Sequence, residues 1–532
     1  MNKKLFTFQL LFIVLGIGKA QNSMEYNLKK YAVSPQTVVD ERRWYNNDLE
    51  NSQHYVARSI ISLVDYMKEH TDSGAFSYLH GAEHNMLAVS FNNTNTAGQF
   101  IHFDGKRQTF GQLLAGGELH LASSGTLFGA VSYQRGELTC TSLNDATHPE
   151  DYTPYFVADT LGKGTMNQER YTIYGGYSFG GSRWKYGFDM RYEGIAQAKK
   201  HNPRHANYTH SVVIGLGIAG VWQQNIIALA LRPEWSRQSI TEHSLLDGVR
   251  FLEFYGFGQW NRRESMAVNN YGRQQTLRGF GTEVVWMHDG SWVMTVDAGW
   301  KYRKMNSEES NFKELFSSQT HHFYQQFMGR HQSSCLTWLL QLSAKEYLRK
   351  GLENVYEQQL QDAEGLFDYV KVGTNQLYNS NGINMDLRAK VICPVMPLSS
   401  ISMLATSGWS HEEERYDSPQ MKIVNQTMSA SLGVEYKWHK GRLEWEAMLN
   451  CGLQSGWGNS YKVTTSNNTI QEIMAYTPYL LRGESRQTLE YSLLSLYRLS
   501  ERLSLGGFLK INYLNSAYRE QVHILAGGFF LF

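Results

Sequence analysis

Apolar and polar residues alternate with a period of two along most of the chain. In WKYGFDMRYE, Trp184, Tyr186, Phe188, Met190 and Tyr192 fall on one face and Lys185, Gly187, Asp189, Arg191 and Glu193 on the other. INMDLRAKV sets Ile383, Met385, Leu387, Ala389 and Val391 against Asn384, Asp386, Arg388 and Lys390. In RLEWEAMLNCGLQ, Leu443, Trp445, Ala447, Leu449, Cys451 and Leu453 oppose Glu444, Glu446, Asn450 and Gln454. WVMTVDAGWKYR, with Asp297 and Lys301 on its polar face, and TMSASLGVEYKW behave alike. Successive strand side chains point to opposite faces, so each segment predicts a β-strand with one apolar and one polar face.

A soluble β-sandwich alternates too, but two features disfavour it. The predicted strands run roughly 9–14 residues, against roughly 5–6 in soluble sheets and about 9–11 for a tilted strand crossing a bilayer. Aromatics also gather at the ends of the apolar faces, as at Trp184 and Tyr192, Trp292 and Trp300, or Tyr436 and Trp438. Such girdles mark the two interfaces of outer-membrane barrels.

Eighteen strands are predicted, beginning near residues 84, 109, 126, 169, 184, 211, 225, 276, 292, 321, 335, 383, 399, 427, 442, 487, 503 and 522. Every second connection is short (ASSG, GGSR, VWQQN, MHDGS, RHQSS, PVMPLSS, HKG and LSER), and those between are mostly long. Short turns on one side and long loops on the other predict periplasmic turns and extracellular loops. FLEFYGFGQW (251–260) is a further candidate for pairing. In hydrocarbon an open sheet edge leaves backbone groups unbonded, so the sheet must close. The expected fold is all-β: a single transmembrane antiparallel barrel of about 18 strands (16–18), its lumen wide enough for water unless filled. Lys185, Asp189, Arg191, Glu193, Asp297, Lys301, Asp386, Arg388, Lys390, Glu444 and Glu446 are the candidate lumen-lining residues. Their mixed signs give no lining that would select anions or cations.

Composition narrows the partners. With 50 basic and 49 acidic residues, no field of one sign points to nucleic acid. Mean hydropathy is −0.43, and after the first twenty residues no run approaches the about 20 apolar residues of a membrane helix. Lys3 and Lys4, the apolar run LFTFQLLFIVLGIG and the small residues Gly18 and Ala20 predict a signal peptide over 1–20, cleaved before Gln21. No cysteine near that point offers a lipid anchor, and Cys140, Cys335, Cys393 and Cys451 lack the spacing of a disulfide framework or zinc site. Residues 21–80 do not alternate; Ile60, Leu63, Val64 and Met67 follow helical spacing. This segment is read as a lumen plug or a periplasmic cap, and as too short for the plug of a TonB-dependent transporter. The barrel itself is expected over 81–532.

Candidate chemistry is sparse. His201, His205 and His210 share one loop region, and His321 and His322 begin a strand. Imidazoles so gathered could bind a transition metal or haem, but their spacing matches no metal motif, and no cofactor is expected. HEEER (411–415) could hold a cation, though a charge run more often marks a wet surface. No nucleophile elbow, HExxH or phosphate loop appears, so no enzyme is predicted. The pairs Gly116-Gly117, Gly175-Gly176 and Gly506-Gly507 lie within strands, where glycine marks bulges or close approach.

QTFGQLLAGGELHLASSGTLFGAVSYQRGE (108–137), PYFVADTLG (154–162), RYTIYGGYSF and NPRHANYTHSVVIGLG resemble a family of Bacteroidota outer-membrane β-barrels of undetermined function, over roughly residues 75–532. The resemblance implies a Gram-negative outer-membrane barrel placed beside nutrient- or metal-uptake systems, with a TonB-dependent transporter or surface lipoprotein as partner and no catalytic residues to carry over. The C-terminal LAGGFFLF resembles the insertion signal read by the outer-membrane assembly machinery. Gly527, Phe530 and Phe532 fit it, while Leu525 stands where a polar residue is usual. Besides that machinery, outer-membrane lipid is the expected partner. Two functional readings stay open: a channel or accessory barrel of a small-solute uptake system, or a plugged barrel that binds a partner through its extracellular loops.

Overall fold

Polar side chains turned inward and apolar ones turned outward dictate the architecture. On β1 (Asn85–Gly98), Leu87, Val89 and Phe91 are exposed, whereas Ser90, Asn92, Thr94 and Thr96 are buried. Phe91 is 49% exposed and its neighbour Asn92 4%. That is a soluble protein inverted, and it is stable only where the exterior meets hydrocarbon. The computed structural model describes residues 85–531 apart from short stretches, mostly in the connections. The signal peptide, the 21–80 segment with its helix, and Phe532 lie outside the described residues.

After β1 come β2 (Arg107–Leu121), β3 (Gly125–Thr141) and a short β4 (Phe156–Ala158). Then follow β5 (Gly164–Gly180), β6 (Trp184–Lys199), β7 (His205–Trp222) and β8 (Asn225–Glu242). The stretch FLEFYGFGQW folds back as β9 (Arg250–Phe254) and β10 (Trp260–Glu264), which with β4 make a separate three-stranded sheet. The barrel resumes with β11 (Tyr271–Asp289), β12 (Trp292–Glu309), β13 (Lys313–Gln332), β14 (Thr337–Leu360) and β15 (Phe367–Met396). It continues through β16 (Ser399–Asp417), β17 (Gln420–Lys440), β18 (Leu443–Gly456) and a three-residue β19 (Ser460–Lys462). The last strands are β20 (Arg486–Arg498), β21 (Ser504–Ser516) and β22 (Arg519–Leu531).

Setting β4, β9, β10 and β19 aside, eighteen strands pair antiparallel in chain order. β22 returns to β1 from Met86↔Leu531 to Gly98↔Arg519 and closes the ring. Each predicted strand has its counterpart. The turns at one end are short, as between Trp222 and Asn225 or Lys440 and Leu443. At the other end several excursions are strand rather than coil. β15 begins at Phe367, well before the alternation visible from Ile383, and β16 meets β17 across two residues. Above the membrane both faces of such a hairpin are wet or covered by loops, so the period-two signal fades there while the ladder continues.

The aromatic girdles are built of stacked pairs, most of them across strands. At the short-turn end Trp184 meets Trp222 edge-on at 5.5 Å, Trp292 stacks on His331 at 4.4 Å, and Trp445 contacts both Tyr436 and Trp438. At the other end Tyr133 packs on Tyr171, Trp300 on His321, and Trp409 on His411. Trp292 and Trp300 stand eight residues apart. At about 3.3 Å per residue and a tilt of about 40° that spans about 20 Å, close to the apolar band of such barrels. Gly506 shows why a strand glycine is used: Phe529 lies over it, and a Cβ there would fall 2.1 Å from the ring.

Candidate functional site

The inward face of the barrel carries ion pairs of both signs. Asp189 and Glu283 approach Arg232, each at 3.8 Å. Glu234 accepts from Lys301 and Arg303, both at 2.8 Å. Farther round, Lys390 reaches Glu435 at 2.9 Å, and Lys437 bridges Glu435 and Glu446 at 3.3 Å each. Arg498 holds Glu444 at 3.1 Å, and Arg191 meets Glu193 at 3.5 Å. Asp297 faces inward from β12, opposite Val285 and Gln326 in register. Asp386 stands beside Gly408, where a Cβ would come within 3.0 Å of its Oδ1. Arg388 is exposed, and the side chain of Lys185 lies outside the described residues. Seven of the eleven predicted residues thus sit in ion pairs. Glu435 and Lys437 were visible on the polar face of the same 427–438 segment. Arg303 was visible on the polar face of the 292–303 segment, and Arg232 and Glu234 take the inward positions of β8, whose outward positions hold Leu231, Pro233 and Trp235.

Beyond the outer girdle two segments fold over the mouth. The first, between β3 and β5, inserts Tyr152 and Tyr155 into a cluster with Ala146, Met305, Leu315 and Phe316. Tyr155 stacks on Phe316 at 4.8 Å with the rings 9° from parallel. Arg349 Nη1 donates to the Thr153 carbonyl at 3.3 Å and its Nε to Thr320 Oγ1 at 3.2 Å. Gly351 leaves the space for this packing, since a Cβ there would lie 2.6 Å from Tyr155 Oη. The second segment follows β19: α1 (Asn468–Gln471), a π-helical stretch Glu472–Tyr476, and α2 (Thr477–Arg482). Pro478 lies in the first turn of α2, next to the π-helical stretch, where its missing N–H coincides with the change of helical hydrogen-bond spacing. Ala475 is buried against Phe257, Tyr378, Tyr416, Met421 and Ile423.

A tyrosine–carboxylate network ties the second segment to the wall and runs on toward the first. Tyr347 Oη donates to Glu412, Tyr378 Oη to Glu414 at 2.8 Å, and Tyr416 Oη to Glu353 at 2.7 Å. Arg482, at the end of α2, bridges Glu412 at 3.3 Å and Glu414 at 3.1 Å. Below it Glu484 is fully buried and takes Arg519 Nε at 2.8 Å and Ser516 Oγ at 2.7 Å. Burial pushes the Glu414 carboxyl up, with Arg482 opposing. Burial does the same to Glu353, opposed by the tyrosine hydroxyl that donates to it. The Tyr155 hydroxyl is raised by burial and then by the nearby Glu353 charge.

HEEER is therefore two surfaces. Glu412 and Glu414 face inward to the network, while Glu413 faces outward between Arg415 and Lys422, the latter at 3.0 Å. Strict alternation already implied that split; the inward partners Tyr155, Tyr347, Tyr378, Tyr416 and Arg482 left no local signal. Of the histidines, His201 and the His205 side chain lie outside the described residues. His210 faces outward, with Tyr192 Oη at 2.8 Å from its Nδ1. His321 and His322 take opposite faces, His321 on Trp300 and His322 buried inside. Among the described residues no three His, Cys, Asp or Glu gather as metal ligands. In the final strand Phe530 is exposed on the outer face and Gly527 approaches the Val89 carbonyl, where a Cβ would lie 2.4 Å away.

Residues 73–530 match a family of unknown function (DUF6850). The chain belongs to this family. No curated protein matches its sequence. Among solved structures, this family member is similar to the ferric enterobactin receptor of Pseudomonas aeruginosa at 11% identity, covering 85% of this chain and 80% of that one, with a TM-score of 0.40. The siderophore receptor PiuA of Acinetobacter baumannii is 8% identical over 84% of this chain and 81% of its own, at 0.38. The ferric citrate transporter FecA is 10% identical over 84% and 78%, also at 0.38.

Proposed function

We propose that this outer-membrane barrel passes a small polar solute and is closed at its outer mouth by the two inward-folded segments. The observation that carries the reading is the latch. Arg482 and the tyrosine–glutamate network hold a helical segment over a lumen lined by charges of both signs. The polar contacts of the latch exchange with water more readily than the apolar clusters beside them, which makes the latch the reversible part of the closure. Eighteen strands also belong to the size class whose lumen admits water, below the twenty-two of plugged transporters. Mixed lumen charge suits a solute without strong net charge. The resemblance to Bacteroidota barrels suggests that this one works beside a TonB-dependent transporter or a surface lipoprotein.

The second reading, a plugged barrel that presents its loops to a partner, draws on the aromatic outer surface. Tyr461, Tyr476 and Tyr479 form a cluster with centroids 5.1–6.1 Å apart, and Tyr476 is exposed. Conductance in planar bilayers separates the two. Discrete channel openings that become more frequent when Arg482 is replaced support the gated pore; silence in both proteins removes it. Deleting residues 21–75 tests whether that segment fills the lumen, since conductance should then rise sharply.

A further inference from the structure

The outer face of the barrel is not uniform above the girdle. On β8 through β14 each strand passes from an apolar or aromatic residue to a polar one at the next outward position. Trp235 is followed by Arg237, Phe280 is preceded by Arg278, Tyr302 is followed by Lys304, and Leu348 by Lys350. Trp235, Phe280 and Leu348 are 46%, 40% and 41% exposed, as lipid-facing side chains are. The register links the row: Trp235↔Arg278, Arg278↔Lys304, Lys304↔Gln319 and Gln319↔Lys350. Four strand spacings of about 4.8 Å make it about 19 Å wide.

Several cations elsewhere on the rim are paired with carboxylates. Arg135 pairs with Glu169, Lys200 with Glu137, and Arg415 and Lys422 share Glu413. Among the described residues, Arg237, Arg278, Lys304 and Lys350 have no carboxylate within ion-pair distance; Arg237 donates only to the Gln274 amide oxygen at 2.6 Å. Four uncompensated cations one step outside a membrane interface stand where lipid phosphates lie, and basic side chains there reach headgroups by snorkelling.

We infer that the β8–β14 sector is a binding surface for a phosphate-bearing lipid of the outer leaflet, seated with its acyl chains on Trp235, Phe280, Tyr302 and Leu348 and its phosphates on Arg237, Arg278, Lys304 and Lys350. The inference concerns the outside of the wall and is independent of what the lumen does.

The test uses the full mature protein in neutral detergent, with mixed micelles of diphosphoryl lipid A as probe and phosphatidylethanolamine micelles as the comparison. Lipid retained per barrel is read by native mass spectrometry. Wild type should hold lipid A in preference to phosphatidylethanolamine. The combined Arg237→Gln, Arg278→Gln, Lys304→Gln and Lys350→Gln variant should lose affinity on the order of tenfold or more. A second variant, Arg135→Gln with Lys200→Gln, removes paired cations and should bind as wild type does. Heat-modifiable gel migration establishes that both variants are folded barrels. The proposal is overturned if the fourfold variant retains lipid A fully or if the paired-cation variant loses as much. It is also overturned if inorganic phosphate at equal concentration displaces the lipid, which would mark a simple anion site.

Discussion

Arg482→Ala removes a side chain that joins the helical segment to two carboxylates of β16 at once. Arg482 is 45% exposed, Glu412 30% and Glu414 16%, so each bridge lies toward the weak end, about 0.2–1 kcal/mol. Glu412 and Glu414 share one face of the strand, and without the guanidinium their repulsion adds to the loss. The net change is therefore about 1–2 kcal/mol, a factor of about 5–30 in the ratio of open to closed mouth. Because Glu484, two residues beyond Arg482, is still held by Arg519, the helical segment should loosen over 468–482 without melting the barrel. Hydrogen exchange reads this directly: amides of 470–482 should lose protection by that factor while those of β16 and β17 keep theirs. Channel openings should rise in parallel. A double-mutant cycle with Glu412→Gln and Glu414→Gln should give a coupling of similar size, because all three changes act on one contact. Unchanged exchange over 470–482, or equal loss across the whole barrel, would refute the latch.

Gly351→Ala should unseat the first segment, because the new methyl would lie 2.6 Å from Tyr155 Oη and 2.9 Å from Tyr378 Cβ; faster chymotryptic cleavage after Tyr155, in a barrel that still shows heat-modifiable migration, is the expected result. Glu353 and Glu414 have carboxyls raised by burial, so the folded mouth binds protons more tightly than the unfolded chain. Its stability is then greatest below the ordinary carboxylate range and declines as pH rises through the raised values. Protection of 470–482, corrected for intrinsic exchange, should accordingly be higher at mildly acid than at neutral pH, and Glu353→Gln combined with Glu414→Gln should flatten the trend. Lys437→Gln leaves Glu435 and Glu446 without the ammonium between them; the reversal potential under a salt gradient should shift toward cation selectivity, and a shift toward anions would contradict the inward placement of this triad.

What could be seen in the sequence, and what could not, divides along a physical line. A membrane strand has hydrocarbon on one side and a polar interior on the other, so its alternation is imposed at every position and each strand declares itself alone. Ile383 to Val391 is such a stretch. Phe367 to Gly382 of the same strand is not, because above the interface no solvent boundary enforces the pattern; Tyr378 is buried and Asn379 half-buried for reasons that lie on other strands. The same logic hid the mouth. Glu412 and Glu414 appeared as a charge run because their partners, Tyr347, Tyr378 and Arg482, are 36 to 70 residues away. Only the pairing of β14, β15 and β16 and the return of the segment after β19 bring them together.

That division also explains why the exterior is the better guide to this protein. The lumen charges neutralise one another across strands, so no single residue type betrays a solute. On the outer wall, by contrast, position along the strand fixes depth in the membrane. A cation one step beyond an aromatic therefore has a defined environment even before its neighbours are known. Arg278 and Lys304 are neighbours in register, although 26 residues apart in sequence, and their like charges would repel without an anion nearby. A sheet that sets two cations, with no carboxylate partner among the described residues, side by side at headgroup depth, flanked by Arg237 and Lys350, is stabilised by what lies outside the protein. The wall of this barrel is complete only with its lipid.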